Sequence, residues 1–567
     1  MVDVSTILNR TKELFFKHFS HRNFIFGISF ALLLFFKCVF FNHQLFPTGL
    51  NTHTLSRLIL VNLCFSGIIA SFVCLSKRIW WTIAAVFILD IWLIGNNLYL
   101  RTYDDLLNSW CLQNISNMSG VWDSIIPFFK SSDWLYPLSS VIWTVIVIIF
   151  RHLSFRRGII GFVIGLILSL WCFKLTYRDF RYVDGVVFPF AKYYEEVSMG
   201  RKWYCMSFSP IAHLINEIRN TVTFKISDGE PTVVSETELA AFLNAHSVET
   251  KSKKNLVIVL FESLEHWCIN AVINNLEITP NLNKLIKGKN VLYFSHCMPQ
   301  VKQGKSSDAQ LIICTGLLPT KDGAVCMRFP NNEYPSIVEA AQPQQSKIFI
   351  PTPSSAWNQG GMTKSYHFDE LYAEIISDRK MAQLVSEELD SMKQPFVVLV
   401  TTMASHAPFT SYCDSSSLCV NNNIPKDLKR YVQSVNYTDE CLGILIDKIV
   451  NDSVFNNTTL VITGDHTIFT DEDRTEYSKN LDIEMNGYVP LIFYDAQIQQ
   501  NQCDSIINQA DIYPTILHFL GCRNYFWKGV GRDLLDSTDS NKADIYSVSD
   551  KLIRSNYFKN KKQDLGL

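Results

Sequence analysis

Three things are scarce in this chain, and each scarcity removes a class of function. Net charge is one: 51 Lys and Arg nearly balance 53 Asp and Glu, leaving −2 at neutral pH. Nothing in that balance points to a nucleic-acid partner. A complete phosphate-binding loop is another. Gln303-Gly304-Lys305-Ser306-Ser307-Asp308-Ala309 has its closing part, but G-x-x-x-x-G-K-[ST] needs Gly five residues before Gly304, where Pro299 stands. A P-loop reading is rejected. An even cysteine count is the third. With 15 Cys, at least one thiol stays unpaired.

Apolar residues are abundant. They make up 48% of the 567 residues, and mean hydropathy is +0.09. The excess is concentrated in the first third, which argues for a membrane part followed by a soluble part. Five apolar segments, 23–41, 58–75, 79–100, 134–150 and 157–174, each approach the length needed to cross a bilayer. Trp80, Trp81, Trp134, Tyr136 and Trp171 sit near their ends, as interfacial anchors do. The first segment is long and others follow, so it is expected to remain a span.

Lys and Arg set the orientation. The N-terminal tail carries Arg10, Lys12, Lys17 and Arg22, the 2–3 turn Lys77 and Arg78, and the 4–5 loop Arg151, Arg156 and Arg157. Loops 42–57 and 101–133 hold few cations. The N-terminus is therefore expected inside, and everything after about residue 175 outside. Cys38, Cys64, Cys74 and Cys172 fall in spans and the other cysteines outside the cytoplasm. Disulfides are permitted there, and Cys413 and Cys419 are close enough for a local bridge, with free buried Cys the alternative. Lys37 and Asp90 lie within spans. Asp90 is a candidate functional charge, whereas Lys37 is near a span end, from which a long amine snorkels.

The expected organisation is a transmembrane domain 1–175, a juxtamembrane connector 176–250 and an extracytoplasmic catalytic domain 251–567. In the connector, Tyr193, Tyr194, Trp203 and Tyr204 are suited to an interface. From Asn255, apolar runs alternate with helical patterns. Asn255–Phe261, 347–350, 395–401, 459–463 and Val489–Tyr494 are expected strands, and 428–450 an expected helix. Apolar strands separated by helices imply an α/β domain with a mostly parallel sheet covered on both faces.

Chemistry-bearing residues gather at the ends of those runs. Gly464-Asp465-His466-Thr467 closes one strand, at the edge where open α/β sheets bind ligands. Asp and His are both good divalent-metal ligands. Glu262 closes another strand; a helix N-terminal region favours Glu equally. In Gly304-Lys305-Ser306, a Gly turn exposes a hydroxyl at a helix start, either as a nucleophile or as a plain N-cap. His406, in Ser405-His406-Ala407-Pro408, is a candidate acid or phosphate binder, or else a satisfied loop histidine. Glu262, Ser306, Asp465 and His466 together suit a divalent site whose nucleophile is itself a ligand.

The order of these motifs, with Thr279-Pro280-Asn281-Leu282 and Asp511-Ile512-Tyr513-Pro514-Thr515 between and after them, resembles the lipoteichoic acid synthase branch of the sulfatase/alkaline phosphatase superfamily. The five-span layout resembles it too. The resemblance implies a divalent metal, most often Mn²⁺ with Zn²⁺ or Mg²⁺ as alternatives, held by Glu262, Ser306, Asp465 and His466. It makes Ser306 the nucleophile, where Thr is usual, and His406 a contact to the phosphoryl headgroup. Lys305, Trp357, Asn358 and His406 become the substrate-binding candidates. The implied enzyme is a phosphoglycerol- or phosphoethanolamine-type phosphotransferase of a bacterial plasma membrane, catalytic domain outward. It moves a phospho-alcohol from a membrane phospholipid to a glycan or lipid acceptor through a covalent Ser306 intermediate.

Two departures bear on this. Phosphoglycerol-handling members carry Trp-Asn-Arg near the headgroup, whereas this chain has Trp357-Asn358-Gln359, and the His upstream of that Trp is absent from Ile350-Pro351-Thr352-Pro353. A lost Arg removes a bidentate phosphate contact. A phosphoethanolamine transferase and a membrane-anchored phosphodiesterase are the alternatives. A true sulfatase is disfavoured, because Ser306 is followed by Ser307, Asp308, Ala309 and Gln310 and lacks the Pro and Arg that formylglycine formation requires.

Overall fold

The computed structural model describes residues 21–46, 52–73, 78–103, 106–108, 128–150, isolated residues between 163 and 187, then 201–227, 235–244, 251–321, 323–409, 418 and 424–565. The chain divides into a helical unit ending at Ser227 and an α/β unit taking Asp228–Leu567.

In the helical unit, α1 (His21–Leu45), α2 (Thr52–Val73), α3 (Trp81–Tyr103) and α4 (Leu135–Ile149) are followed by α5 (Arg201–Phe208) and α6 (Pro210–Ser227). Four stretches are long and apolar enough to cross a membrane: Ile25–Leu45, Leu55–Val73, Trp81–Arg101 and Ser131–Ile149. That is four among the described residues, not the five expected; most of 157–174 lies outside them. Helical periodicity separates the faces of α1. Phe30, Leu34, Cys38 and Phe41 are buried, while Ile25, Ile28, Leu32 and Phe36 are exposed, as a lipid-facing stripe requires. Trp80, Trp81 and Trp134 are exposed at helix ends. Tyr136 is not: it is buried, its ring 5.4 Å from that of Phe40. Tyr204, expected at an interface, is likewise buried in the core of this unit.

Lys37 does not snorkel. Its ammonium is buried and pairs with Asp90, and it also donates to Tyr136 O at 2.8 Å and Ser140 Oγ at 3.0 Å. Ser140 Oγ in turn donates to the second Asp90 oxygen at 2.5 Å. The pair thus has the extra hydrogen bonds that a buried ion pair needs. Lys37→Met should strand Asp90 and cost about 3–5 kcal/mol, with most of the loss recovered by adding Asp90→Leu. Thermal unfolding in detergent checks this.

The α/β unit is built on a nine-stranded sheet. In chain order its strands are β1 (Asn255–Phe261), β2 (Val291–Met298), β3 (Gln345–Ile350), β4 (Glu370–Ala373), β5 (Phe396–Thr401), β6 (Thr458–Gly464), β7 (Val489–Tyr494), β8 (Asn501–Cys503) and β9 (Ile507–Asn508). They lie in the order β8-β2-β7-β6-β1-β5-β3-β4, with β9 also on β2. Every pairing is parallel except the two made by β7, so the sheet is mixed and mostly parallel. All residues of β1, β6 and β7 are buried, as near-continuous apolar strands inside a two-faced sheet must be. The covering helices include α7 (Ser306–Thr315), α8 (Asp378–Ser391), α9 (Lys426–Asn451) and α10 (Asp471–Leu481). Residues 235–244 pack on this unit too, with Leu243 bridged to Trp527 and Asn244 N donating to Phe526 O at 2.9 Å.

Ten cysteines among the described residues are free thiols, all but Cys503 buried. Cys413 and Cys419 lie outside the described residues.

Candidate active site

Sheet order explains why distant residues converge. β5, β1 and β6 are adjacent and parallel, so their C-terminal ends open on one edge. Glu262 follows β1, Asp465 and His466 follow β6, and Ser405 and His406 follow β5. Ser306 arrives from the β2 side, as the first residue of α7.

Glu262, Asp465 and His466 are all buried, and one potential ligand atom from each lies within 4.8 Å of the others. Ser306 Oγ donates to Glu262 Oε2 at 3.0 Å and lies 3.3 Å from His466 Nε2. His466 Nε2 is also 3.6 Å from Glu262 Oε1 and 3.7 Å from Asp465 Oδ2. All four expected ligands are therefore together. Each is held by its own loop. Asp465 Oδ1 accepts from Ser263 N and His466 N, both at 2.7 Å, which leaves Oδ2 toward the cluster. His466 Nδ1 is 3.0 Å from Thr467 O. A proton on Nδ1 there leaves the Nε2 lone pair facing Glu262 and Ser306. Burial and the neighbouring Asp465 charge push Glu262 well above the usual carboxylate range. Burial pulls His466 and His406 below the usual imidazole value.

Such a set is unfavourable without a cation, because two carboxylates are buried side by side. A divalent ion at the same point relieves that repulsion and uses the facing imidazole lone pair. The residues present thus fit a divalent metal. Glu262, Asp465, His466 and Ser306 would hold it, and it would supply charge neutralisation at a phosphoryl group and acidify the Ser306 hydroxyl.

The turn that carries Ser306 has its own logic. Lys305 adopts φ 45° and ψ −116°, a strained conformation of the kind that persists at functional sites. Asp308 Oδ2 accepts from Lys302 N and Gly304 N, both at 2.9 Å, and closes the turn. A Cβ on Gly304 would lie 2.3 Å from Asp308 Oδ1 and 2.7 Å from Ser307 Oγ. Gly304→Ala should therefore shift Ser306 and lower kcat about tenfold to a hundredfold while Mn²⁺ content, measured by metal analysis, is retained. Gly464 is required for a similar reason, since a Cβ there would meet Leu264 O at 2.2 Å.

His406 shares an electrostatic neighbourhood with Asp465 and His466. Its Nδ1 is 2.7 Å from Ala407 O, and the preceding Ser405 Oγ donates to Glu262 O at 2.5 Å. Lys305 acts electrostatically on His466. Asn358 Nδ2 donates to Cys326 O at 3.2 Å, and Cys326 Sγ is 3.3 Å from Ser307 Oγ, so this segment borders α7. Trp357 packs against the core of the α/β unit. Gln359, where an Arg is expected, is buried and donates to Gln310 Oε1 at 2.9 Å, four residues along α7 from Ser306.

Supporting residues absent from the sequence reading complete the site. Gln509 accepts from Gln300 N at 3.0 Å and donates to Asp465 O at 2.8 Å. Asp378 accepts from Met403 N at 2.9 Å and Ala404 N at 3.0 Å, fixing the approach to His406. Thr402 Oγ1 accepts from Glu262 N at 3.0 Å. These are single polar residues, and no motif marks them.

Two known families match successive parts of the chain. The model of the lipoteichoic acid synthase N-terminal domain matches residues 7–179, and the sulfatase model matches 254–522. In both parts the chain is lipoteichoic acid synthase-like. These likenesses indicate a membrane-anchored phosphotransferase. It is similar to the lipoteichoic acid synthase of Staphylococcus saprophyticus, at 22% identity over 91% of this chain and 83% of that one. The Staphylococcus aureus lipoteichoic acid synthase is 23% identical, with 91% and 84% covered. In fold, the chain resembles the lipooligosaccharide phosphoethanolamine transferase A of Neisseria meningitidis, with TM-score 0.54, 13% identity, 89% of this chain and 97% of that one covered.

Proposed function

We propose that this protein transfers a phospho-alcohol headgroup, phosphoglycerol first, from a membrane phospholipid to a glycan or lipid acceptor. The observation that carries the reading is the Ser306 hydroxyl at 3.0 Å from Glu262 and 3.3 Å from His466, inside the buried acid–imidazole cluster. In the first half, Ser306 Oγ attacks the donor phosphorus and the bond from phosphorus to the diacylglycerol oxygen breaks. The Ser306 proton leaves along its hydrogen bond toward Glu262 Oε2. His406 relays that proton to the departing diacylglycerol oxygen. In the second half, an acceptor hydroxyl attacks the phosphorus of the Ser306 phosphodiester, its proton passes through His406 and Glu262 to Ser306 Oγ, and the bond from phosphorus to Ser306 Oγ breaks. Hydrolysis would follow from the same intermediate if water replaced the acceptor.

Lys305 and His406 are the groups best suited to the phosphoryl oxygens, with Trp357 and Asn358 toward the headgroup. Mn²⁺ is the metal favoured by the family resemblance. The catalytic unit works on the outer face of a bacterial plasma membrane, an orientation supported by the Lys and Arg distribution of the N-terminal third. One observation favours a second reading, phosphoethanolamine. The Gln359–Gln310 pair is neutral, so no guanidinium stands at that position.

Fluorescent phosphatidylglycerol and phosphatidylethanolamine, offered separately to the full-length protein in detergent with Mn²⁺, separate the readings. Diacylglycerol from phosphatidylglycerol alone is the expected result. Release from phosphatidylethanolamine alone selects the second reading, and release from neither overturns both.

A further inference from the structure

The geometry points to Glu265 as a positioning residue that, held by Arg474, sets the spacing between the two metal-ligand loops. The inference rests on the ligand reading above. Glu265 lies three residues past Glu262, outside the ligand cluster, and is wholly buried. Both its carboxylate oxygens are engaged. Oε1 accepts from Ile468 N at 2.9 Å and Phe469 N at 3.0 Å, two and three residues past His466. Oε2 accepts from Trp267 Nε1 at 2.9 Å. Arg474, on α10, donates from Nε to Oε2 at 3.1 Å and from Nη2 to Oε1 at 3.2 Å. One carboxylate thus ties the loop carrying Glu262 to the loop carrying Asp465 and His466.

Tyr431 fastens the same turn from the other side. Its hydroxyl accepts from Glu265 N at 3.1 Å and donates to Ser263 O at 2.8 Å. Arg474 is buried as well, and its remaining nitrogen, Nη1, donates to Asp471 Oδ1 at 2.8 Å. A bidentate Arg–carboxylate pair fixes direction as well as distance. Partners of this kind, one step behind the ligands, typically carry 10–100-fold in metal affinity. A purely structural pair elsewhere in the sheet does not. Lys254 and Asp495, 2.6 Å apart at the opposite end of β1, supply that control.

The test titrates the full-length, detergent-solubilised protein with MnCl₂ and records thermal unfolding of the metal-free form. Glu265→Gln and Arg474→Met should weaken Mn²⁺ binding by about tenfold or more and lower kcat while leaving KM for the donor unchanged. Arg474→Lys should recover part of the loss. Lys254→Met should lower thermal stability and leave Mn²⁺ affinity at the wild-type value. Wild-type Mn²⁺ affinity in Glu265→Gln, combined with loss of Mn²⁺ in Glu262→Ala, overturns the positioning role and leaves the ligand reading standing. Wild-type affinity in Glu262→Ala overturns both. If Glu265→Gln does not fold, Arg474→Lys and Arg474→Met decide, and wild-type affinity in both overturns the proposal.

Discussion

Ser306→Ala should give a folded, membrane-embedded protein whose release of diacylglycerol has fallen by about 10⁴-fold or more, the scale seen when a covalent nucleophile is removed. The change deletes one oxygen at the first residue of α7. It leaves Asp465 with both backbone donors and Glu262 Oε1 with Ser263 Oγ at 2.8 Å. The contacts that hold Glu262 and Asp465 in place therefore survive the change. The turn is closed by Asp308 and by Ser307, whose Oγ donates to Gly304 O at 2.7 Å, and neither needs the Ser306 hydroxyl. Ser306→Thr keeps a hydroxyl at that point and should retain measurable turnover. A fluorescent-lipid assay reads both variants. Full activity in Ser306→Ala would remove the covalent intermediate from the mechanism.

Glu262→Gln should have opposite effects with and without metal. In the metal-free protein, Glu262 is a buried carboxylate raised in pKa by burial and by Asp465. Neutralising it removes a like-charge repulsion, so the metal-free variant should unfold at or above the wild-type temperature. With Mn²⁺ at 100 times its dissociation constant, the wild type should gain about 2.7 kcal/mol. The variant, without that carboxylate, should gain almost nothing at that concentration and should turn over little substrate. Paired thermal scans with and without MnCl₂ measure both signs. An equal Mn²⁺-induced rise in both proteins would contradict the assignment of Glu262 as a ligand.

The site was legible in the sequence to the extent that its residues end strands. Glu262 and Asp465-His466 each follow a short apolar run, and a parallel α/β sheet delivers such ends to one edge. The structure adds why they meet: β1 and β6 are direct neighbours, in register from Asn255 opposite Thr458 to Phe261 opposite Gly464. Ser306 was harder, because α7 enters from β2, and β2 was missed. Val291-Leu292-Tyr293-Phe294-Ser295-His296-Cys297-Met298 carries Ser and His that interrupt the apolar run. Ser295 Oγ is 2.7 Å from His296 Nδ1 and donates to Asp504 Oδ1 at 2.6 Å. Strand direction was hidden for a different reason. The antiparallel β7 is as apolar as its parallel neighbours, and burial alone carries no sense of direction.

The helical unit shows the same limit. Apolar length located the four spans among the described residues. The pairing of Lys37 with Asp90 joins residues 53 apart through packing that length and hydropathy do not encode. Gln359 is the complementary case. Its departure from the family pattern was visible in the sequence, but its partner, Gln310, was not.

Covalent trapping at Ser306 tests the central claim most directly. Full-length protein is mixed with excess phosphatidylglycerol and Mn²⁺ without acceptor, quenched in acid and examined by intact and peptide mass spectrometry. The expected result is a protein that gains one glycerol phosphate, on the peptide carrying Ser306, in step with the diacylglycerol released. Stoichiometric diacylglycerol with no adduct, or with the adduct on another residue, would contradict it.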